Sequence, residues 1–308
     1  MSKNKVFVRW ISYRLARFGI GICDLGALII PLSFLYAFAD FIGWVGYYLA
    51  KKHRKIAIES LTMAFGKEKP AREIEKIARD CFFAMAQTVV EFFMFMRYPE
   101  RIKKFVQIEG LQYLDEALKK GKGVVALSAH FGSFPLLLSR LALAGYPIHS
   151  VLRRMRDSRL DTLFEKKRDK MGVGSIYTQP RGECVSKCLK SLRDNEIVFI
   201  QLDQNFGTGG VFVDFFGVIA ATATGPIVFA VRTGASIVPM FIHRVKGARH
   251  KIVINPPLTV QKDAVGKENL VETVSEFTLM IENYIRKYPH EWGWIHKRWK
   301  ARPKEEKQ

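Results

Sequence analysis

The sequence is short of acidic residues, of paired cysteines and of long unbroken apolar runs, and each shortage removes a class of protein. Its 29 Asp and Glu stand against 49 Lys and Arg, a formal net charge of +20. An imbalance of that size requires an anionic partner: nucleic acid, anionic lipid or an acidic protein. Composition alone does not choose among them. Four cysteines, Cys23, Cys81, Cys184 and Cys188, include no CxxC pair and no Cys/His ligand spacing, which argues against a disulfide framework and a structural zinc site. Cys184 and Cys188, four residues apart, share a helix face and read as packing. No GxGxxG or Walker loop occurs, so nucleotide binding has no support. What is present, 308 residues with 48% hydrophobic, suffices for one domain of ordinary size plus an appendage and excludes disorder.

The sharpest compositional shift falls at residue 50. A basic leader with Lys3, Lys5, Arg9, Arg14 and Arg17 runs into a segment from Phe18 to Ala50 that only Asp24 and Asp40 interrupt. The 15 uncharged residues between those aspartates, which include Pro31, are fewer than the ~20 that a spanning helix needs. Two membrane readings are open: a signal peptide cleaved after Ala37-Phe38-Ala39, or a retained anchor lying in or on the bilayer. Lys51-Lys52-His53-Arg54-Lys55 directly afterwards favours retention on a cytoplasmic face beside anionic headgroups. A buried soluble hairpin is the third reading.

From 51 to 104 the apolar spacing is helical, as in Ile74, Ile77, Cys81, Met85 and Val89, with Pro70 opening a second helix. Phe82, Phe83, Phe92, Phe93, Met94 and Phe95 read as core. Beyond Pro99, strand-like runs at 124–128, 148–153, 197–202, 237–242 and 250–254 alternate with helical stretches near 111–120, 134–144, 157–171, 181–194, 224–233 and 266–287. This alternation predicts an α/β domain over 105–308, with a mixed, mainly parallel sheet flanked by helices. Ligands of such domains collect at the carboxyl ends of the strands.

His130 stands at such an end, where Val124-Val125-Ala126-Leu127-Ser128-Ala129 passes into Phe131-Gly132-Ser133 and a helix begins. Ser133 suits the N-cap and Pro135 the first turn. An imidazole there lies beside backbone amides that meet developing negative charge. A lone histidine is more often structural, and this setting makes the two readings equal.

The blocks SAHFGSFP, VLRRMRDSRLDTLFEKKRDKMG, LDQNFGTGGVFVDFFGVIAATATGPIVFAVRTGASIVPMF and YPHEWGWIHKRWKARP together resemble the lipid A late acyltransferases, the lauroyl and myristoyl transferases within the lysophospholipid acyltransferase group. The resemblance covers nearly the whole chain. It implies a fold like that of glycerolipid acyltransferases, and a fatty acyl group moved from an acyl carrier protein or coenzyme A thioester to a hydroxyl of a lipid A precursor or related glycolipid. The implied place is the cytoplasmic face of the inner membrane, with no cofactor, no metal and no nucleic acid. It further implies His130 as general base.

In that family a carboxylate follows the histidine five residues on; here the position holds Pro135. Three explanations compete: a carboxylate from elsewhere, with Asp203 the choice because it ends the strand IVFIQL; His130 acting alone; or lost catalysis. Asp203-Gln204-Asn205 is also ordinary turn chemistry. Arg153 and Arg154, followed by Arg156 and Arg159, could grip a phosphate of acceptor or donor, or form a solvated helix start; Arg181 repeats this more weakly. Ser133 and Gln204 complete the expected substrate-binding set. Phe206 to Phe216 and Thr224-Gly225-Pro226 suit an apolar groove or turns and caps. Trp292, Trp294 and Trp299 with Lys297, Arg298, Lys300 and Arg302 suit a membrane interface, while the same residue types would also stack on single-stranded nucleic acid. The apolar N-terminus favours lipid. A non-enzymatic lipid-binding or assembly protein is the rival that Pro135 motivates, and a nucleic-acid binder is a weaker one.

Overall fold

The structure is a computed structural model that describes Arg14, residues 32–262 and residues 269–303. The basic leader and the first part of the apolar segment therefore lie outside the described residues, Arg14 apart. From residue 32 on, four helices come first: α1 (Leu32–Leu49), α2 (Lys51–Phe65), α3 (Ala71–Arg97) and α4 (Pro99–Phe105). Strands and helices then alternate as β1 (Val106–Glu109), α5 (Leu111–Lys119), β2 (Val124–Ser128), α6 (Phe134–Ala142), β3 (Ile148–Leu152), α7 (Ser158–Lys170), β4 (Val173–Tyr177), α8 (Arg181–Arg193) and β5 (Ile197–Gln201). A hairpin of β6 (Val211–Phe215) and β7 (Val218–Thr222) precedes α9 (Gly225–Thr233), β8 (Ser236–Lys246), β9 (Arg249–Ile254) and α10 (Leu270–Lys287).

Among the described residues the main sheet has seven strands in the order β1-β9-β8-β2-β5-β3-β4. Every pairing is parallel except that of β8 with β9, so the expected mixed, mainly parallel sheet is present. All five residues of β2 are buried, as a parallel strand covered by helices on both faces must be. The expected runs at 124–128, 148–153 and 197–202 become β2, β3 and β5 with at most one residue trimmed. Strands β1, β4, β6 and β7 were not expected. They are short, and β4 contains Gly174 and Ser175, so it lacks the β-branched density that marked the others.

Helices α2 and α3 bury Ala57, Leu61, Ile74 and Ala78 in the same apolar cluster as Val125, Leu127 and Val198 of the sheet. Helix α1 packs along α3, with Leu35 and Ala39 buried. The Ala37-Phe38-Ala39 site of the signal-peptide reading thus sits within α1, with Ala39 buried against α3 and Ala37 exposed. A buried ion pair fixes this arrangement: Arg244 of β8 donates to the Glu91 carboxylate of α3, which also accepts from the Tyr36 hydroxyl of α1. Burial opposes charge on Glu91, but His250 and Arg244 outweigh it and hold the carboxyl below its usual range.

The tryptophan-rich C-terminus corrects an expectation. Trp292, Trp294, Trp299 and Arg298 are all buried and form no membrane interface. Their rings pack on Phe65, Phe215 and Phe216, and the indole N–H groups of Trp294 and Trp299 donate to the carbonyls of Pro289 and Phe215. Aromatic residues flanked by Lys and Arg look alike whether they face lipid or core; here the cations Lys297 and Lys300 point outward while the rings turn in.

Gly132, two residues after His130, has φ +56, and a Cβ built there would lie 2.0 Å from the Ile242 carbonyl oxygen. Neither backbone can yield. Gly132→Ala is therefore expected to cost more than the ~1–2 kcal/mol of left-handed strain alone. Gly217→Ala, at φ +70 with open space around it, should cost only that strain. Urea unfolding of both variants checks the difference, and equal losses would contradict it.

Candidate active site

The carboxyl ends of β2 and β5 form the site. Ser128 pairs in register with Gln201, so the chain continuations after both strands leave the sheet side by side. Leu202 N–H donates to the Ser128 carbonyl at 3.1 Å, and the Gln201 side-chain amide to that of Ala129 at 3.0 Å. His130 and Asp203, each two residues past its strand, are thereby brought face to face. His130 Nδ1 lies 2.9 Å from Asp203 Oδ1.

The C-terminal segment clamps this pair from the other side. Phe131 forms an antiparallel bridge with Trp292, Gly293 N–H donates to the His130 carbonyl at 3.1 Å, and Gly132 N–H to that of Glu291 at 2.8 Å. Trp292 Nε1 donates to Asp203 Oδ2 at 2.7 Å. Asp203 is 2% exposed, and both carboxylate oxygens are occupied. The His130 side chain is 34% exposed, open to the cavity described below.

The electrostatics follow from this geometry. Burial pushes His130 toward the neutral form, but the Asp203 carboxylate outweighs it, leaving the imidazole pKa raised. Burial likewise opposes charge on Asp203, yet His130 and the Trp292 indole hold its carboxyl below the usual range. An ionised carboxylate only accepts hydrogen bonds, so in the neutral imidazole the proton sits on Nδ1 and Nε2 carries the lone pair. The Gln204 side-chain amide lies 3.2 Å from Nε2 and donates to that lone pair. Burial pulls down His296, whose Nε2 accepts the Asn205 N–H at 3.0 Å. Arg298, lowered to about 10 by burial, ties the Gln204 carbonyl to Ala221 and Thr222 of the hairpin.

His130 opens onto a cavity of about 1130 Å³, at the upper end of small-molecule sites. Helix faces at three- and four-residue spacing line it: Met85, Val89 and Phe92 of α3, Phe134, Pro135 and Leu138 of α6. Arg153, Arg181 and Arg232 are exposed on its rim. No group of three or more His, Cys, Asp or Glu among the described residues could hold a metal ion.

Of the expected residues, His130, Gln204, Arg153 and Arg181 line this cavity, and Asp203 stands behind His130. Two do not. Arg154 is turned to Asp161 at 3.0 Å and stacks 3.7 Å over the Tyr177 ring, because Asp161, one turn into α7, offers a nearer anion. Ser133 is buried with its hydroxyl unpartnered and caps nothing, its backbone conformation holding the side chain inward. Thr224 also makes no side-chain cap, but it lines the cavity. Sequence reasoning missed Arg232, Arg244, Glu291 and His296 on the cavity wall. Glu291 gave no signal in advance: burial lifts its carboxyl to about 7, against the Arg244 N–H that it accepts.

The profile of a family described as bacterial lipid A biosynthesis acyltransferase matches residues 1–301. The lipid A biosynthesis palmitoleoyltransferase of Escherichia coli (strain K12) is 26% identical, covering 94% of this chain and 92% of its own. The lipid A biosynthesis lauroyltransferase of the same organism is 24% identical, over 94% and 93%. The phosphatidylinositol mannoside acyltransferase of Mycobacterium tuberculosis is 30% identical over 43% of this chain and 42% of its own.

Trp292→Phe removes the indole donor and leaves Asp203 Oδ2 buried without a partner. An unsatisfied buried acceptor costs about 1–3 kcal/mol, more when charged. The variant is expected to unfold at lower urea by at least that amount, and unchanged stability would contradict the clamp.

Proposed function

The chain belongs to the bacterial lipid A biosynthesis acyltransferase family and is an acyltransferase. From that premise we propose that it moves a fatty acyl chain from an acyl carrier protein or coenzyme A thioester to a hydroxyl of a lipid A precursor or related glycolipid, with His130 as general base. The observation that carries this is the 2.9 Å contact of His130 Nδ1 with the buried Asp203 carboxylate, which offers the partner that Pro135 does not.

In the proposed reaction the acceptor hydroxyl displaces the exposed Gln204 amide from Nε2. As the hydroxyl oxygen attacks the thioester carbonyl, its proton passes to Nε2, and the imidazolium is stabilised by Asp203. The freed amide of Gln204 then donates toward the oxygen on which charge develops. Collapse of the tetrahedral intermediate breaks the C–S bond; the thiolate takes the proton from His130 and leaves as thiol, restoring the base. The apolar wall of Met85, Val89, Phe92 and Leu138 accepts the fatty chain, each buried methylene contributing ~0.8 kcal/mol. Arg153, Arg181 and Arg232 offer forks for phosphate on acceptor or donor.

Among the described residues no helix is long and apolar enough to cross a membrane. Helix α1 nevertheless exposes Phe34, Phe41, Trp44, Tyr48 and Leu49, the last 76% exposed, directly before the exposed Lys51 and Lys52. An apolar helix face bordered by cations suits peripheral seating on an anionic bilayer at the cytoplasmic face of the inner membrane. Helix α1 lies on α3, whose Met85 and Val89 line the cavity, so seating would bring the cavity near the lipid. We expect the protein to sediment with vesicles containing anionic phospholipid, and Phe41→Asp/Leu49→Asp to reduce that fraction severalfold; equal binding would remove α1 as the contact.

His130→Ala should abolish acyl transfer from a labelled thioester to a lipid A precursor. Asp203→Asn should lower kcat by about 10²–10⁴. In the wild type, transfer should fall as pH drops through a value above the ordinary ~6.5 of histidine, since only the neutral imidazole accepts the proton. Asp203→Asn removes the raising charge and leaves burial, so that limb should move to lower pH. Full activity of His130→Ala would overturn the reading.

A further inference from the structure

The cavity lining is mixed: Phe134, whose ring centroid lies 5.6 Å from that of His130, and Leu138, Val89 and Phe92 are apolar, while Ser139, Ser150 and Arg168 are polar. Strand register measures how far the anchor of Arg168 lies from His130. Ser175 of β4 pairs with Ser150 of β3, which pairs with Phe199 of β5, which pairs with Ala126 of β2. Ser175 is therefore level with a residue four before His130 and three strands away. At ~3.3 Å per residue and ~4.8 Å between strands this is about 13 Å along the strands and about 14 Å across them, the reach of an extended fatty chain.

Arg168 stands at that far end. Its Nε donates to Ser175 Oγ at 3.0 Å, which anchors the guanidinium against β4. Its Nη2 is buried and has no hydrogen-bond partner. It comes from α7 one turn after Phe164, and the two line the same wall. A hydrocarbon terminus offers no acceptor to this nitrogen, and methylenes driven against it would take water from a charge while giving nothing in return. Apolar burial, which favours each added methylene along the wall, stops there.

We propose that Arg168 closes the far end of the fatty-chain arm and so sets the longest acyl chain that the enzyme transfers, an inference that rests on the acyl-transfer reading above. Val173 and Ser150 flank the stop, and the space that the guanidinium occupies is the space the next methylenes would need.

The test is competition. Full-length protein, Arg168→Met and Ser150→Leu each receive a lipid A precursor and an equimolar pool of saturated acyl-coenzyme A thioesters of graded length, and products are read by mass spectrometry. Arg168→Met, which keeps a long side chain but removes the charge, should raise the ratio of longer to shorter products by about tenfold, the discrimination that a methylene or two gives in an apolar pocket. Ser150→Leu narrows the same end and should lower that ratio by a similar factor. Product ratios unchanged in both variants, or a loss in Arg168→Met that is uniform across chain lengths, would overturn the proposal while leaving acyl transfer intact. No product from wild type with either these thioesters or the matching acyl carrier protein thioesters would instead overturn the acyl-transfer reading, and this proposal with it. If Arg168→Met does not unfold cooperatively, the ratio from Ser150→Leu decides alone.

Discussion

One hydrogen-bonded line, from the Trp292 indole through both oxygens of Asp203 to His130 Nδ1, is what the site depends on. It joins three stretches far apart in sequence: the end of β2, the end of β5 and the segment after α10. A buried carboxylate is costly unless its oxygens are filled, and each is filled here by a group that the fold holds rigidly. The consequence is chemical. With Asp203 ionised, the imidazole has a fixed tautomer and a lone pair turned toward the cavity.

The same constraint explains why the C-terminal tryptophans are buried. Trp292 can reach Asp203 only because Phe131 and Trp292 bridge as strands and Gly132 lets the backbone pass close under Ile242. Trp294, Trp299 and Arg298 then fasten the segment to the β6–β7 hairpin and the Gln204 loop. The aromatic block is the back wall of the site, while the bilayer contact proposed above falls to the exposed rings of α1.

The alternation of strands with helices made the sheet legible in the sequence, because buried parallel strands read as short apolar runs. The position of His130 was legible for the same reason: an apolar run ending in His-Phe-Gly-Ser-Phe-Pro marks a strand's carboxyl end. Asp203 could be proposed from its place two residues past β5, but its contact depends on β2 and β5 being neighbours, which spacing alone does not say. Arg154 and Ser133 lie off the cavity because Asp161 draws the arginine away, while the serine hydroxyl is buried and meets no partner. The cavity wall was the least legible part. Met85 and Val89 continue the buried stripe of Ile74, Ile77 and Cys81, and nothing in their spacing shows that the last two face a cavity instead of core. Glu291 and His296 depend on the return of the C-terminal segment, a long-range event without a local signature.

The most direct test of the central claim is a titration of His130 followed by ¹⁵N NMR of the imidazole in protein labelled at histidine. The account predicts a proton on Nδ1 and a bare Nε2 in the neutral form, with a pKa above the ordinary ~6.5 that falls in Asp203→Asn. A proton on Nε2, or a His130 pKa at or below the ordinary value in the wild type, would contradict it.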